Sequence, residues 1–384
     1  MNVREAVIVA YGRTTCAKAK KGHFKDTSPV EFGGQCLLEV IKKIPQLNTE
    51  EIDDVIVGCS FPMGVQSNNM GRLIAKRADM PDKVSAQTLT RFCASGLTSI
   101  AAAANAIMCG QQDVVVAGGV ESLTHVSMAF DNRDPWIAEN IPALYIPMGL
   151  TAENVASRYG ISREDMDMFA LESHRRAAIA QASKSFDDQI VPVAVVKDGK
   201  PIIPFRDEGI RPDCSLETLA AMEPCFKSDG LVTAATSSQM MDGAAFLVLM
   251  SAEKAKKLDL KPIASFVSYA TAGVPAEVMG IGPVEAVPKV MRKAGLTVGD
   301  MDVIELNEAF ASQALYCIRA LGLDAKRVNP HGGAIAMGHP LGATGAVLTC
   351  KALSYLRSAG GSHALVTMCV GGGMGNAAIF KMYG

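Results

Sequence analysis

The sequence predicts an α/β fold built from two repeated halves, with a different segment inserted between them. Short apolar runs alternate with Ala-rich or amphipathic stretches and Gly-rich turns, a pattern typical of parallel β-α-β units. Three similarities, in the same order, indicate that one unit occurs twice. The paired segments are 52–57 with 301–306, 94–96 with 343–345, and 114–119 with 364–372.

The segment boundaries follow from this repeat. We expect the first half to cover residues 1–119 plus about 241–264, and the second half to cover 265–384. Residues 120–240 differ in character, because they hold several prolines and the only tryptophan of the chain, Trp136. This segment is predicted to be an inserted loop domain that covers the sheet face and carries substrate contacts.

The composition supports a well-buried globular chain and excludes several classes of partner. Hydrophobic residues make up 49% of the 384 residues and charged residues 20%. A formal net charge of −2 gives no general attraction to nucleic acid or to an anionic membrane. Since no apolar run approaches the ~18 residues of a membrane span, and the N-terminal run is too short for a signal peptide, we expect a cytoplasmic protein.

The elements along the chain can be placed from local patterns. Residues 6–10 form an apolar run that predicts the first strand, and 97–104 predict a buried helix of small residues. In the inserted segment, a helix from about 151 to 159 should end at Gly160. The next helix should begin at Ser162, which stands three residues before Asp165 as in a capping box.

Cys93 is the first candidate for chemistry. It stands where an apolar segment meets a small-residue helix, and free N–H groups and the helix dipole favour an anion there. The dipole contributes less than one pKa unit, so an active thiolate needs a nearby base. The alternative is a buried structural cysteine, because the ten cysteines of the chain lack zinc-ligand spacing and most should be inert in a reducing compartment.

His339 is the candidate base. It lies between glycines, in 332–345, just before a segment that matches the neighbours of Cys93 in the repeat. Symmetric halves would therefore bring both strand-to-helix junctions to one place. The loop is not a phosphate-binding P-loop, and the alternative is a histidine that only caps the helix.

In two further segments, polar or reactive residues stand at the end of an apolar strand. Cys369 precedes a glycine run, so we expect it to be exposed to whatever approaches the carboxyl end of its strand. The run is not a dinucleotide fingerprint, and an inert Gly-rich turn is the alternative. Asn307 could hold a water molecule by its amide, while Glu308 could be a structural acid at a helix start.

Together these four segments resemble the signature blocks of the thiolase family, in the family's order and over essentially the whole chain. They are Cys-Ala-Ser-Gly at 93–96, Asn-Glu-Ala-Phe at 307–310, Gly-His-Pro-Leu-Gly-Ala-Thr-Gly at 338–345 and Cys-Val-Gly-Gly-Gly at 369–373. The resemblance implies a layered αβαβα fold of two repeated halves with the inserted loop domain. It also implies an acyltransferase that cleaves 3-ketoacyl-CoA with CoA, in fatty-acid β-oxidation.

The resemblance also implies a role for each site residue. Cys93 would be the acylated nucleophile, His339 the base that activates it and then the incoming CoA, and Cys369 the acid/base at the acetyl α-carbon. Asn307 would position a water that forms one oxyanion hole with His339, and the backbone N–H groups of Cys93 and Gly371 would form the other. A covalent acyl-enzyme and stabilised enolate suit this cleavage.

By the same resemblance, no metal and no cofactor are needed, and CoA and acyl-CoA are the substrates. The chain would form a homodimer or homotetramer, with β-oxidation enzymes as further candidate partners. The positions that resemble the family's CoA contacts are Met148, Arg211, Phe226, Ser238 and Phe310.

Two departures favour the degradative 3-ketoacyl-CoA thiolases over the short-chain acetyl-CoA acetyltransferases, which remain the alternative. Pro147 stands where many short-chain enzymes carry histidine, and 235–238 read Ala-Thr-Ser-Ser where the family often has Gly-Asn-Ala-Ser. A decarboxylating ketosynthase is disfavoured, because such enzymes lack the cysteine matched by Cys369. A non-catalytic acyl-CoA-binding relative would require a lost catalytic group, and all four are present.

Overall fold

A computed structural model of the protein describes residues 3–128 and 133–383. Residues 1–2, 129–132 and 384, which the three predicted segments include, lie outside the described residues. None of the described helices has the length and apolar character needed to cross a membrane.

The first half begins with the predicted strand and continues through alternating strands and helices. Its elements are β1 (Ala6–Arg13), β2 (Ala17–Lys18), α1 (Pro29–Lys42), β3 (Asp54–Gly58), α2 (Met70–Arg77), β4 (Ser85–Leu89), α3 (Ser95–Met108) and β5 (Val114–Glu121).

The inserted segment is mainly helical. Its elements are α4 (Pro135–Asn140), α5 (Met148–Tyr159), α6 (Arg163–Ala182), β6 (Val195–Lys197), β7 (Lys200–Ile202) and α7 (Leu216–Ala220). Helix α5 ends at Gly160, whose φ of 63° is easy only for glycine. Helix α6 starts at Ser162, whose side chain accepts from the N–H of Asp165, as predicted.

The chain then returns to the first half through one long buried strand and enters the second half. These elements are β8 (Met241–Ser251), α8 (Ala252–Lys257), β9 (Ala264–Gly273), α9 (Gly282–Ala294), β10 (Val303–Leu306), α10 (Ala311–Leu321), α11 (Ala334–Met337), α12 (Leu341–Ala359), β11 (His363–Val370) and β12 (Met374–Met382).

The repeat is visible in the order of the strands. Within the described residues, the main sheet runs β10-β11-β12-β9-β1-β8-β5-β3-β4. The set β3-β5-β8-β1 corresponds to β10-β11-β12-β9, and in both sets the first pair is parallel and the others are antiparallel. The two sets join where β1 pairs with the start of β9.

Three apolar cores define the layers. The central core contains α3 and α12 between strands of both halves. A second core packs α1 and α2 on the outer face of the first half, and a third packs α9 and α10 on the outer face of the second. The order helix–sheet–helix–sheet–helix confirms the predicted layered αβαβα class.

Strands β5 and β9 lie at two of the predicted segment limits. Strand β5 continues to Glu121, two residues past the predicted end at 119, because Val120 and Glu121 still pair with β8. Strand β9, which belongs to the second set, begins at Ala264. The division itself stays an interpretation of the repeat.

Candidate active site

The two strand-to-helix junctions meet because small residues let α3 and α12 approach closely. A Cβ added at Gly96 would lie 2.8 Å from the carbonyl oxygen of Gly342, and one added at Gly345 would lie 2.3 Å from the backbone nitrogen of Leu97. Gly96 and Gly345 occupy matching positions in the repeat. The N-terminus of each helix is therefore held against the other, which brings the segments of Cys93 and His339 together.

Cys93 lies in a short 3₁₀ turn, Phe92–Ala94, directly before α3. Phe92 has a φ of 42°, a conformation that a bulky residue rarely adopts and that is often found at functional sites. The side chain of Ser95 fixes the turn, since it accepts from the N–H of Arg91 at 2.8 Å and donates to the carbonyl of Phe92 at 2.7 Å. The half-buried Cys93 is thus presented from a rigid turn.

Two backbone N–H groups lie near the sulfur of Cys93 and lower its pKa. One belongs to Cys93 itself and the other to Gly371. Both stabilise a thiolate, but burial raises the pKa of Cys93 to about 11 and outweighs them. The thiol is protonated at neutral pH, so the structure supports the requirement for a base. The same two N–H groups are suited to hold an oxygen that carries negative charge next to the sulfur.

His339 is buried, and its ring is held from both sides. Nδ1 lies 2.6 Å from Oγ1 of Thr344 in the first turn of α12, and Nε2 lies 3.3 Å from Nδ2 of Asn307. The amide can donate to Nε2 only in the tautomer that carries its proton on Nδ1. Burial lowers the pKa of His339 to about 3, so the ring is neutral and Nε2 can accept a proton.

Asn307 follows β10 and is fully buried. Its backbone N–H donates to the carbonyl of Thr367 on β11 at 3.0 Å, which fixes it beside the strand of Cys369. Its side-chain Oδ1 has no hydrogen-bond partner among the described residues. A buried amide oxygen of this kind costs free energy unless a water or a ligand binds it.

Cys369 lies inside β11, where it pairs with Gly375 of β12, and it is completely buried. The expectation that it would be exposed was wrong, because the strand and its partner extend beyond it and helices cover both faces. Burial raises the pKa of Cys369 well above its ordinary value, and the nearby Cys93 raises it further. Cys369 is therefore a neutral thiol that can donate a proton.

The glycine run after Cys369 forms the turn between β11 and β12. Gly372 and Gly373 have φ values of 79° and 83°, which side chains rarely permit. Gly371 lies against the ring of Phe92 and Sδ of Met148: a Cβ at Gly371 would be 3.8 Å and 3.6 Å from them. The turn thus places the N–H of Gly371 over Cys93 and next to the start of α5.

Four of the five residues that resemble CoA contacts lie near this turn or near one another. The ring of Phe226 meets the ring of Phe310 edge-on at 6.0 Å, and the N–H of Ser238 donates to the carbonyl of Ala309 at 2.9 Å. Met148 lies in the same apolar cluster as Phe310 and Cys369. Arg211 is exposed, and its N–H donates to Nδ1 of His174 on α6 at 3.1 Å.

Two polar residues of the site, Thr344 and Glu121, were not indicated by the sequence, and a third, Glu308, has a structural role. Thr344 holds Nδ1 of His339, and Glu121 accepts from the N–H of Gly342 in the first turn of α12. Glu308 accepts from Ser173, Asn329 and the N–H of Ile335, so it is a buried structural acid at the start of α11 and not at the start of the helix that follows it in the chain. A polar residue at the carboxyl end of an apolar strand is the pattern that could have indicated Glu121.

Within residues 3–128 and 133–383, no three His, Cys, Asp or Glu side chains are grouped so that they could hold a metal ion. The donors at the site are thiols, one imidazole, one amide and backbone N–H groups. This set is suited to acyl transfer by a covalent thioester, with proton transfers at carbon and sulfur.

Comparisons with known proteins agree with this chemistry. The family model "Thiolase, N-terminal domain" matches residues 6–253, and "Thiolase, C-terminal domain" matches residues 260–382. The chain is 47% identical to a 3-ketoacyl-CoA thiolase of Bacillus subtilis, over 99% of this chain and 100% of that one. It is 44% identical to a human peroxisomal 3-ketoacyl-CoA thiolase, over 98% of this chain and 91% of that one.

A solved structure has the same fold over its whole length. It is the Bacillus anthracis acetyl-CoA acetyltransferase, with a TM-score of 0.93, 37% identity and complete coverage of both chains. Two family models that together span nearly the whole chain, and relatives of more than 40% identity, decide the classification: this chain belongs to the thiolase family.

Proposed function

We propose that this chain catalyses the thiolytic cleavage of 3-ketoacyl-CoA by CoA, which yields acetyl-CoA and a shortened acyl-CoA. The observation that carries the proposal is the group of donors around Cys93. Two backbone N–H groups lie near its sulfur, and the neutral thiol of Cys369 lies beside it. The strand-to-helix junction that carries His339 packs against the junction that carries Cys93. Thiolysis requires a nucleophile, an oxyanion site and a proton donor at carbon.

In the first half-reaction, Nε2 of His339 takes the proton of Cys93, and the sulfur attacks the 3-keto carbon. The developing oxyanion lies at the N–H groups of Cys93 and Gly371. Breaking the bond between C2 and C3 leaves the acyl group on Cys93 and releases the enolate of acetyl-CoA. Asn307 and His339 stabilise that enolate, and Cys369 protonates its α-carbon.

Between the half-reactions, the proton that His339 took from Cys93 passes to the thiolate of Cys369, so both groups return to their neutral forms. In the second half-reaction, His339 takes the proton of the incoming CoA thiol, the CoA sulfur attacks the thioester carbonyl, and the bond between the acyl group and Cys93 breaks. The released thiolate of Cys93 then receives the proton from His339. Because the acyl group stays on the enzyme between the two steps, acetyl-CoA leaves before CoA binds, and ping-pong kinetics follow.

The choice between 3-ketoacyl-CoA thiolase and short-chain acetyltransferase depends on the acyl pocket. The B. subtilis and human relatives carry the first name, and the B. anthracis structure carries the second. The higher identities and Pro147 at the start of α5 favour the broader acyl range. Rates on acyl chains of increasing length separate the two functions.

We further propose that CoA and acyl-CoA bind along Met148, Ser238, Phe226 and Phe310, with Arg211 at the outer end near the phosphates. The exposed ring of Phe226 and the exposed guanidinium of Arg211 are accessible to a large substrate. We also propose that the protein forms a homo-oligomer and is located in the cytoplasm. Other β-oxidation enzymes are its further proposed partners.

The test is the loss of thiolysis when the nucleophile is removed. Cys93→Ala should lower the rate on acetoacetyl-CoA and on longer 3-ketoacyl-CoAs by at least about 10³-fold. Cys109→Ala is the matched control, because Cys109 is an exposed thiol at the opposite end of α3. Full thiolysis by the Cys93→Ala enzyme would overturn the proposal.

A second variant separates thiolysis from other acyl transfers. Cys369→Ala should still form the acyl-enzyme at Cys93, while exchange of the acetyl α-proton with solvent slows by about 10²-fold. Unchanged exchange in that variant would remove Cys369 from the mechanism. Condensation that depends on malonyl groups would instead indicate a ketosynthase.

A further inference from the structure

Glu121 is a completely buried carboxylate at the end of β5, and no Lys or Arg forms an ion pair with it among the described residues. Instead, neighbouring donors surround it. Oε2 accepts from the N–H of Ser60 and from the N–H of Gly342, each at 2.8 Å. Oε1 accepts from the side-chain amide of Gln66 at 2.7 Å, and the thiol of Cys59 lies 3.8 Å away.

This arrangement fits an ionised carboxylate. The two backbone N–H groups and the amide can only donate, so each oxygen of Glu121 must accept. Burial is the larger effect and raises the pKa of Glu121 above its ordinary value, although each of these hydrogen bonds lowers it. Hydrogen bonds from several donors are the usual compensation for a buried negative charge without a cation.

The bond to Gly342 gives α12 the cap that its own sequence lacks. Pro340 precedes the helix and supplies no side-chain cap. The first N–H groups of a helix need acceptors, and a negative charge there also interacts favourably with the helix dipole. Glu121, from the first half of the chain, supplies both to the helix that directly follows His339.

Gly342 is held in a close-fitting socket made by the first half. A Cβ added there would lie 2.7 Å from Cα of Cys59, 2.7 Å from the nitrogen of Ser60 and 2.8 Å from Oε2 of Glu121. The socket leaves no room for the start of α12 to shift, so the position of His339 relative to the first half depends on these contacts.

The same socket is connected to the turn of Cys93. Thr90 donates to the carbonyl of Ser60 at 3.1 Å, and the N–H of Cys59 donates to the carbonyl of Leu89 at 3.0 Å. Glu121 is also close enough for its charge to raise the pKa of Cys93. Glu121 is therefore connected by hydrogen bonds both to the start of the helix after His339 and to the segment before Cys93.

We propose that Glu121 is a positioning residue of the thiolase reaction, which fixes the N-terminus of α12, and with it His339, against the Cys93 turn. Through Ser60 and its bond to Thr90, Glu121 also holds the segment that leads into the Cys93 turn, so the surroundings of the nucleophile depend on it. This inference rests on the proposed function and adds a group that does not itself touch substrate.

The experiment compares Glu121→Gln and Glu121→Asp with a matched control, Asp54→Asn. Asp54 is also buried and accepts hydrogen bonds from Ser85 and Gln87. It lies at the start of β3, whereas the Glu121 contacts lie just after the end of that strand. Two quantities are measured: kcat and KM for acetoacetyl-CoA, and the pH dependence of Cys93 alkylation by iodoacetamide in the free enzyme. Alkylation needs no thiolysis, so failure of the proposed function does not affect it.

Glu121→Gln removes the charge and replaces one acceptor by a donor. We expect kcat to fall about 10–100-fold with KM within about 2-fold, and the alkylation curve to move to lower pH by about half a unit or more. Glu121→Asp keeps the charge but cannot reach both Ser60 and Gly342, so kcat should fall while the alkylation curve stays in place. Asp54→Asn should change neither quantity.

The results have distinct meanings. An alkylation curve that is unchanged in Glu121→Gln, or that moves equally in Asp54→Asn, would overturn the proposal. The same holds for a Glu121→Gln enzyme that keeps normal kcat. If Glu121→Gln does not fold, the charge-retaining Glu121→Asp enzyme decides the matter through kcat. Failure of both to fold makes Glu121 a folding residue only, and the positioning role is then wrong.

Discussion

The two residues at the centre of the site are both neutral in the free enzyme. Burial raises the pKa of Cys93 to about 11 and lowers that of His339 to about 3. A preformed thiolate–imidazolium pair is therefore disfavoured, and proton transfer must accompany attack on the substrate. Thr344 supports this state, because its neutral hydroxyl orients the ring of His339 without stabilising a positive charge as a carboxylate would.

The depressed pKa of His339 gives a test of pH dependence. The base form of a histidine is the neutral ring, which is present above its pKa. Since the pKa of His339 lies near 3, the base form persists throughout pH 5–8, and kcat/KM should show no acidic inflection near the ordinary value of 6.5. Rates of acylation of Cys93 by a 3-ketoacyl-CoA, measured from pH 5 to 8, check this.

His339→Asn serves as the control for that profile, because it removes the titrating ring. An inflection near pH 6.5 in the wild-type enzyme that disappears in His339→Asn would show that the ring is protonated at ordinary pH, contrary to the expectation. An inflection that persists in the variant would belong to another group.

Several elements could be predicted from local sequence because their causes are local. Gly160 ends α5 by its positive φ, and Ser162 starts α6 by accepting from the next turn. The alternation of apolar strands and small-residue helices likewise predicts the sheet. The start of α5 at Met148 was placed three residues too late, because Pro147 precedes the helix and no side chain caps it.

Other features depend on contacts between distant segments and cannot be read from local patterns. The burial of Cys369 requires β12 beside it and helices on both faces, and the role of Glu121 requires α12 of the other half. The approach of the Cys93 and His339 segments is an intermediate case. The repeat indicated that their junctions meet, and family resemblance supplied the roles that spacing alone left open.

The close contact between α3 and α12, which brings the Cys93 and His339 segments together, can be tested by substitution. In Gly345→Ala, the new Cβ would lie 2.3 Å from the nitrogen and 2.6 Å from the Cβ of Leu97, so α3 and α12 must move apart. We expect a loss of about 1–3 kcal/mol in the free energy of unfolding, with a larger proportional loss of thiolysis. Urea denaturation and kcat measure the two effects.

Gly273→Ala is the matched control for this substitution. A Cβ at Gly273 meets nothing within 4 Å, and its φ does not lie in the positive region, so stability and kcat should both be nearly unchanged. If Gly345→Ala behaves like Gly273→Ala, then the close approach of the two helices does not determine the site.

At the scale of the whole molecule, the inserted segment is tied to the first half by a buried ion pair. Arg13 at the end of β1 and Asp207 in the insertion are joined by two hydrogen bonds of 2.8 and 2.9 Å, and neither side chain is exposed. Gln189 accepts from Arg13, and the N–H of Cys16 donates to Asp207. The pair thus fixes the segment that carries the proposed substrate contacts to the sheet.

Replacing only one partner of this ion pair should lower the free energy of unfolding more than replacing both partners. Asp207→Asn keeps an acceptor for Cys16 but leaves the charge of Arg13 buried and unpaired, so we expect a loss of about 3–5 kcal/mol in the free energy of unfolding. Adding Arg13→Met to Asp207→Asn removes that charge and should restore about 1–2 kcal/mol or more. Urea denaturation of the wild type, both single variants and the double variant completes a thermodynamic cycle. A double variant that is less stable than Asp207→Asn would show that Arg13 stabilises the molecule through Gln189 and packing, and not through its carboxylate partner.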